Sequence, residues 1–243
     1  MRKIRIYTPQ SLELNAEIDL DTGPAPHVGT VLRMGVGEEL TLFNGEKGEY
    51  QTVITFSKKG RVRIKIDGFS EADRESPLKL HLFQGLSKGD HMDFSIQKAV
   101  ELGVTEITPV FCARSQFKMD AKRLEKKQQH WQQIIISAAQ QSWRCELPQL
   151  NAPLSFDDAV SSLSASSENI IFDVEATQPL EQISHKQDIN CWIGPEGGFS
   201  QEEVNQARNA DMLVASLGPR VLRTETATVA AISLLQYFAG DLK

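Results

Sequence analysis

Gly194-Pro195-Glu196-Gly197-Gly198-Phe199-Ser200 follows directly on the apolar run Ile189 to Ile193, and Ser200 with Glu203 has the spacing of a helix capping box. A strand that ends in glycines and opens a helix is the repeating unit of parallel sheets. A second such unit follows. Met212 to Leu217 reads as a strand, and Gly218-Pro219-Arg220-Val221-Leu222-Arg223-Thr224-Glu225-Thr226-Ala227 opens a helix over Thr224 to Phe238. Loops beyond the carboxyl ends of parallel strands are where such folds bind ligands. Neither loop matches G-x-G-x-x-G or G-x-x-x-x-G-K-[ST], and Pro195 removes an N–H that a phosphate cradle would use. Phosphate binding is therefore disfavoured. Thr224 is expected to cap the last helix, with Glu225 in its first turn. Arg220 and Arg223 stand at the positive end of the helix dipole, where cations are mildly unfavourable, so they are candidates for gripping an anionic or planar polar partner.

The alternation of strand and helix extends backwards from these loops. Leu78 to Leu86 reads as a strand, and Asp90 to Leu102 as a helix with Ile96, Ala99 and Val100 on one face and Gly103 just past its end. Ile107 to Phe111 is a strand. Asp120 to Ser142 is a long helix with Leu124, Trp131, Ile134, Ile135, Ala138 and Ser142 along one side. A serine-rich linker, residues 161 to 167, precedes the strand Ile170 to Val174. Upstream of Leu78 the pattern changes. Glu71-Ala72-Asp73-Arg74-Glu75-Ser76-Pro77 is polar and ends in proline, which marks a boundary between domains at 1–72 and 73–243. The first ~70 residues show short β-branched runs separated by turn signals, with helix signals nearly absent. Leu40 to Phe43, Asn44-Gly45, and Tyr50 to Phe56 read as two strands and their connection, and Arg61 to Ile66 alternates charged and β-branched residues. A small barrel or sandwich is expected there.

The chain has 243 residues, 40% hydrophobic and 24% charged, with a formal charge of −6, which is ordinary globular composition and excludes a uniformly basic coat. The charge is uneven, however. Between Phe111 and Leu147, Arg114, Lys118, Lys122, Arg123, Lys126, Lys127 and Arg144 face only Asp120, Glu125 and Glu146, and Arg2, Lys3 and Arg5 cluster at the start. With Lys58, Lys59, Arg61, Arg63 and Lys65 these could line one phosphate-tracking side. No apolar run approaches the ~18 residues of a membrane span, and the N-terminal stretch is too polar for a signal peptide, so a cytoplasmic protein is expected. Cys112, Cys145 and Cys191 form neither a metal spacing nor a disulfide framework, and the five histidines have no paired spacing, so no metal is expected. No nucleophile signature appears.

Taken together the motifs resemble the small-subunit (16S) ribosomal RNA uridine-N3 methyltransferase family. Gly194 to Ser200 and Leu217 to Ala227 carry most of the resemblance. Arg2 to Tyr7, His27-Val28 through Val31-Leu32-Arg33, Lys88-Gly89-Asp90, Gln97 to Val104, Arg114-Ser115 and Gln141-Ser142-Trp143-Arg144 support it in order. One departure is Gln140, where the family usually has glutamate. The resemblance implies a PUA-like N-terminal β-barrel that binds RNA, and a SPOUT-type α/β domain with a C-terminal trefoil knot that holds S-adenosylmethionine. It also implies a homodimer acting on 16S ribosomal RNA within the small subunit. The cofactor would meet Ile193, Gly194, Gly197, Gly198, Ser216, Leu217, Gly218, Val221, Leu222, Thr226 and Ala227. RNA would meet Arg2, Arg5, Arg33, Lys88, Lys98, Arg114 and Arg144. Uracil N3 becomes nucleophilic as its proton leaves, so Arg223 or Arg220 would stabilise the anion while Glu196 or Glu225 takes the proton. Two other readings compete: a non-catalytic RNA-binding or assembly factor of the same fold, and a nucleotide-dependent oxidoreductase, whose dinucleotide fingerprint is missing.

Overall fold

Alternating Val62, Ile64 and Ile66, each buried, against exposed Arg61, Arg63 and Lys65 make one strand of a half-buried sheet. The computed structural model describes residues 4–72, 74–115, 121–178 and 187–243, and every element or contact counted below is among those residues. The chain divides into two compact units: Met1–Glu75 with Ala139–Leu147, and Ser76–Ala138 with Pro148–Lys243.

In unit 1 the elements are β1 (Arg5–Tyr7), β2 (Glu17–Asp19), α1 (Pro24–Pro26), β3 (Glu39–Phe43), β4 (Glu49–Lys58) and β5 (Arg61–Ser70). They form a five-stranded sheet of order β1-β3-β4-β5-β2, in which β1 pairs parallel to β3 and the other ladders are antiparallel. Ile6, Leu42, Ile54, Ile64 and Ile66 fill its core. The expectation of almost no helix here needs correction. Pro24 and Pro26 preset helical φ, α1 runs on into a π turn at His27–Val31 closed by Leu32 N–H to His27 O, and Ala25 and Val28 bury one face. The two prolines hid an apolar pair at i, i+3 spacing.

Two carboxylates tie the segment 139–147 into this unit. The Arg5 side chain, 1% exposed, places Nε 3.2 Å from Glu49 Oε2. It donates through Nη2 to Arg144 O at 3.1 Å and through Nη1 to Ala139 O at 3.4 Å, over the Phe43 ring. Glu75 takes Arg144 Nε at 2.8 Å and the N–H groups of Cys145 and Glu146. Burial lowers the Arg5 pKa, against the opposing pull of Cys145 and Glu49. Arg5 and Arg144, expected to face RNA, are both buried with guanidinium groups bound inside the unit, so neither is turned outward.

Unit 2 contains β6 (Lys79–Gly85), α2 (Gly89–Glu101), β7 (Glu106–Phe111), α3 (Ala121–Ser142), β8 (Gln149–Leu150), β9 (Leu154–Ser155), α4 (Phe156–Ser161), β10 (Glu168–Phe172), β11 (Asp188–Ile193), α5 (Gln201–Asn209), β12 (Leu213–Ala215) and α6 (Thr224–Ala239). The last four residues of α3 belong to unit 1. The strand order is β12-β10-β11-β6-β7-β8, with β9 also on β7, and every ladder is parallel, as the alternation of elements requires. Ile189 to Ile193 of β11 are all buried, which is why this central strand reads as an apolar run with no polar alternation, its one polar member, Asn190, donating to Asn169 Oδ1 at 2.7 Å. Phe83 and Trp192 stack at 4.1 Å between neighbouring strands, and Phe156 meets Trp192 edge-on. α4, not anticipated from sequence, is only six residues long and is capped by Ser155, whose hydroxyl accepts Asp158 N–H. The expected helix start at Asp120 lies outside the described residues.

Removing one partner of a buried pair leaves an uncompensated charge, so Arg5→Ala is expected to cost about 3–5 kcal/mol of stability. Urea unfolding measures this. A loss below ~1 kcal/mol would show that Glu49 is adequately held by Arg74, whose Nη1 lies 3.4 Å away.

Candidate functional site

β6 ends in Gln84-Gly85 directly beneath the first glycine-rich loop. A Cβ on Gly85 would fall 2.5 Å from Pro195 N and 2.8 Å from Gly194 C, so only glycine permits this approach. Gln84, fully buried in an apolar strand, donates from Nε2 to Thr224 Oγ1 at 3.1 Å and accepts at Oε1 from Thr228 Oγ1 at 2.7 Å. Thr224 Oγ1 in turn donates to Gly194 O at 2.7 Å. One buried chain of hydrogen bonds therefore joins the end of β6, the loop after β11 and the first turn of α6. Thr224 was expected to cap α6. Arg223 holds the cap position instead, with no side-chain cap bond, and the Thr224 hydroxyl is spent across the loops.

The loop after β11 is fixed from its other side as well. Gly198 N–H bonds Pro195 O at 2.8 Å, and Gly198 takes φ 66°. The capping box of α5 forms as expected, with Glu203 Oε2 on Ser200 N–H. Glu203 Oε1 also accepts Ala113 N–H at 2.7 Å, so a nearly buried carboxylate holds the segment after β7 against the start of α5. Arg114 follows, and its Nη1 donates to Gly197 O at 3.0 Å.

These loops enclose a cleft of ≈ 250 Å³. It lies past the carboxyl ends of β10 and β11, and of the cofactor residues expected from sequence it is lined by Ile193, Gly194, Gly197, Gly198, Val221, Leu222 and Ala227. Ser216, Leu217, Gly218 and Thr226 are not in its lining. Among the expected catalytic residues only Glu196 lines it. Its Oε1 accepts Lys88 N–H at 2.8 Å, just ahead of α2. Glu225 points towards α2, where its Oε2 lies 3.0 Å from His91 Nδ1 without hydrogen-bond alignment. Arg220 and Arg223 are exposed and outside the lining.

Of the expected RNA contacts in this unit, Lys88 and Arg114 are exposed, while Lys98 is paired with Glu101 at 2.8 Å. In unit 1 Arg33 is exposed at φ 56°, and Arg2 lies outside the described residues. Sequence reasoning missed Asp173, Val174 and Glu175, which follow β10 into the cleft, and Arg208 of α5. The signal existed: Asp173-Val174-Glu175 ends an apolar strand as the other two loops do, but without glycines to draw attention. The lining thus carries carboxylates from Asp173, Glu175 and Glu196 beside guanidinium groups from Arg114 and Arg208. A ligand with charges of both signs would suit it.

The chain resembles known proteins over nearly its whole length. Residues 74–236 match the family described as RNA methyltransferase domain, and residues 25–67 the RNA methyltransferase PUA domain. The chain is 36% identical over 241 residues to ribosomal RNA small subunit methyltransferase E of Buchnera aphidicola from Schizaphis graminum, covering 98% of this chain and 97% of that one. The Bacillus subtilis protein of the same name is 29% identical, covering 95% and 93%. Among solved structures, a methyltransferase of Legionella pneumophila in complex with bound cofactor SAM superposes with TM-score 0.96 at 42% identity, covering 100% of both chains. Ribosomal RNA small subunit methyltransferase E of Neisseria gonorrhoeae bound to S-adenosyl methionine gives 0.94 at 35% identity, again over 100% of both.

Thr224→Val would leave Gly194 O and Gln84 Nε2 without this buried partner, at an expected cost of about 1–3 kcal/mol, while Thr224→Ser should stay within ~1 kcal/mol. Urea titration of the two variants separates loss of the hydroxyl from loss of the methyl.

Proposed function

Because the chain belongs to the RNA methyltransferase family, we propose that it methylates N3 of a uridine in small-subunit (16S) ribosomal RNA with S-adenosylmethionine as donor, giving 3-methyluridine. The observation that carries this reading is the cleft itself. Its walls are glycine-rich backbone without a phosphate cradle, and its rim bears both carboxylates and arginines, which suits a phosphate-free cofactor with a cationic sulfonium, an amino and a carboxylate group. Gly85, Gly194 and Gly197 lie where a Cβ would meet backbone or Arg114 within 3.1 Å, so the loop is shaped by close approach.

Backbone groups near Gly194, Gly197, Gly198 and Leu222 would hold the cofactor, with Ser216, Leu217, Gly218 and Thr226 completing the site from the loop after β12. When bound, it supplies an electrophilic methyl group. The chain's own residues prepare the uracil. N3 carries a proton at neutral pH, and as it leaves negative charge spreads onto the flanking carbonyl oxygens. Arg223, exposed beside the cleft at the α6 cap position, stabilises that charge, with Arg220 close to it in sequence. Glu196 accepts the proton, because it lines the cleft and only its Oε1 is engaged by Lys88 N–H. Glu225, directed at His91, is the other carboxylate that could serve. Holding uracil N3 in line with the methyl supplies much of the rate.

In this reading residues 1–72 are a PUA-like barrel that binds RNA and 73–243 a SPOUT-type domain whose C-terminal loops form a trefoil knot around the cofactor. We take the active form as a homodimer working on the small ribosomal subunit in the cytoplasm. Among the described residues no helix is long and apolar enough to cross a membrane.

Nucleoside mass spectrometry of ribosomal RNA from cells lacking the gene should show 3-methyluridine lost and restored on complementation; persistence of the nucleoside means a different target. Arg223→Ala should lower single-turnover methylation by about 10²–10³-fold while calorimetric binding of S-adenosylmethionine is kept. Unchanged methylation removes Arg223 from the mechanism.

A further inference from the structure

Three helices end by the same backbone device. α2 closes through Gly103 at φ 84°, with Val104 N–H bonded to Ala99 O. α5 closes through Asp211 at φ 56°, with Met212 N–H bonded to Ala207 O. α3 closes through Trp143 at φ 68°, with Arg144 N–H bonded to Ala139 O at 3.1 Å. In each case a residue in the left-handed region lets the following N–H reach back five positions. Glycine enters that region freely and aspartate tolerates it, but a bulky aromatic does so against steric resistance. The turn at the end of α3 therefore does not call for an indole.

The ring is nonetheless held in place and turned to solvent. Trp143 is 41% exposed, whereas Trp131 and Trp192 are 2% and 0% exposed. The Arg74 guanidinium carbon lies 5.3 Å from the Trp143 ring centroid, and Arg74 Nη1 bonds Trp143 O at 3.2 Å and Glu49 Oε2 at 3.4 Å. The adjoining Arg144 is buried and clamped to Glu75. Glu49, Arg74, Glu75, Trp143 and Arg144 all belong to unit 1.

We propose that Trp143 is a stacking platform for an unpaired base of single-stranded RNA, with Arg74 supplying positive charge beside it. This rests on the RNA reading above and adds a binding element to it. A solvent-exposed indole next to a fixed cation is the surface that takes up single strands, because every base has a π-face and every nucleotide a phosphate. A duplex keeps its bases stacked on each other and has none to offer. The backbone anchors on either side of the ring, Trp143 O to Arg74 and Arg144 to Glu75, mean that little ordering is needed when a base arrives.

The test uses the full chain, with decauridylate, an abasic decamer of the same backbone and small-subunit ribosomal RNA as probes. Trp143 is the one exposed indole, so the iodide-quenchable tryptophan emission reports on it. Decauridylate should quench this emission and protect it from iodide, and the abasic decamer should do neither. Trp143→Gly should bind decauridylate about tenfold more weakly with an unchanged or higher Tm, since glycine suits the turn, and Trp143→Phe should recover most of the affinity. Equal binding by Trp143→Gly, or emission indifferent to decauridylate, overturns the platform. Emission already closed to iodide without RNA also overturns it, because the ring is then covered and cannot take up a base. If Trp143→Gly misfolds, quenching of the unaltered protein still decides the matter. Wild-type protein that binds neither decauridylate nor ribosomal RNA sinks the RNA reading itself, while retained ribosomal RNA binding with an indifferent Trp143→Gly sinks the platform alone.

Discussion

The Thr224 hydroxyl, 2.7 Å from Gly194 O and 3.1 Å from Gln84 Nε2, joins loops that leave two different strands. Both walls of the cleft depend on it. One wall is the backbone of Gly194 to Gly198, the other comes from Val221 to Ala227, and few buried polar contacts connect them. In the low dielectric of the interior a chain of satisfied bonds is stiff, and an unsatisfied member is expensive, so the arrangement is close to all-or-none. Gly85 contributes by lacking a side chain: the loop rests on it at a separation no Cβ would allow. The precision of the cleft is thus set beneath it, by Gln84, Gly85 and Thr224, rather than by the residues that line it.

Unit 1 uses charge in a different way. The basic residues that stand out in its sequence are partly turned inward or neutralised. Arg5 lies on Glu49, Arg144 on Glu75, and exposed Arg61 and Arg63 share Asp19. A count of positive charge along the chain therefore overstates the positive face that RNA would meet. What remains outward includes Arg33, Lys58 and Lys59.

Much of the architecture was legible because local pattern and tertiary role coincide. β5 alternates because one face is buried; β11 does not because both are; Gly103 and the Ser200–Glu203 box mark helix ends by the hydrogen bonds they make. The cleft was legible where glycines announce it and illegible where it is made by Asp173, Val174 and Glu175, whose residue types are those of any turn. Arg5 and Arg144 misled for a related reason. A basic residue near a chain terminus or a helix end looks solvated in sequence, and nothing local reveals that Glu49, 44 residues on, or Glu75 will bury it. The role of Thr224 was misread likewise, since a threonine at a helix start has a local use and here has a distant one.

The strand order β12-β10-β11-β6-β7 has a consequence for how the molecule comes into being. β11 sits between β10 and β6, so the sheet is completed in its middle by a strand that emerges from synthesis after both of its neighbours. Until Asp188–Ile193 arrives, β6 and β10 have no partner on their facing edges, and open edges of apolar strands invite wrong pairing. β12 and α6 come later still, and with them Thr224. Assembly is dominated by contacts between residues far apart in the chain, which is the slow regime of folding. The cleft is therefore a product of the finished polypeptide: no nascent chain short of α6 has both of its walls.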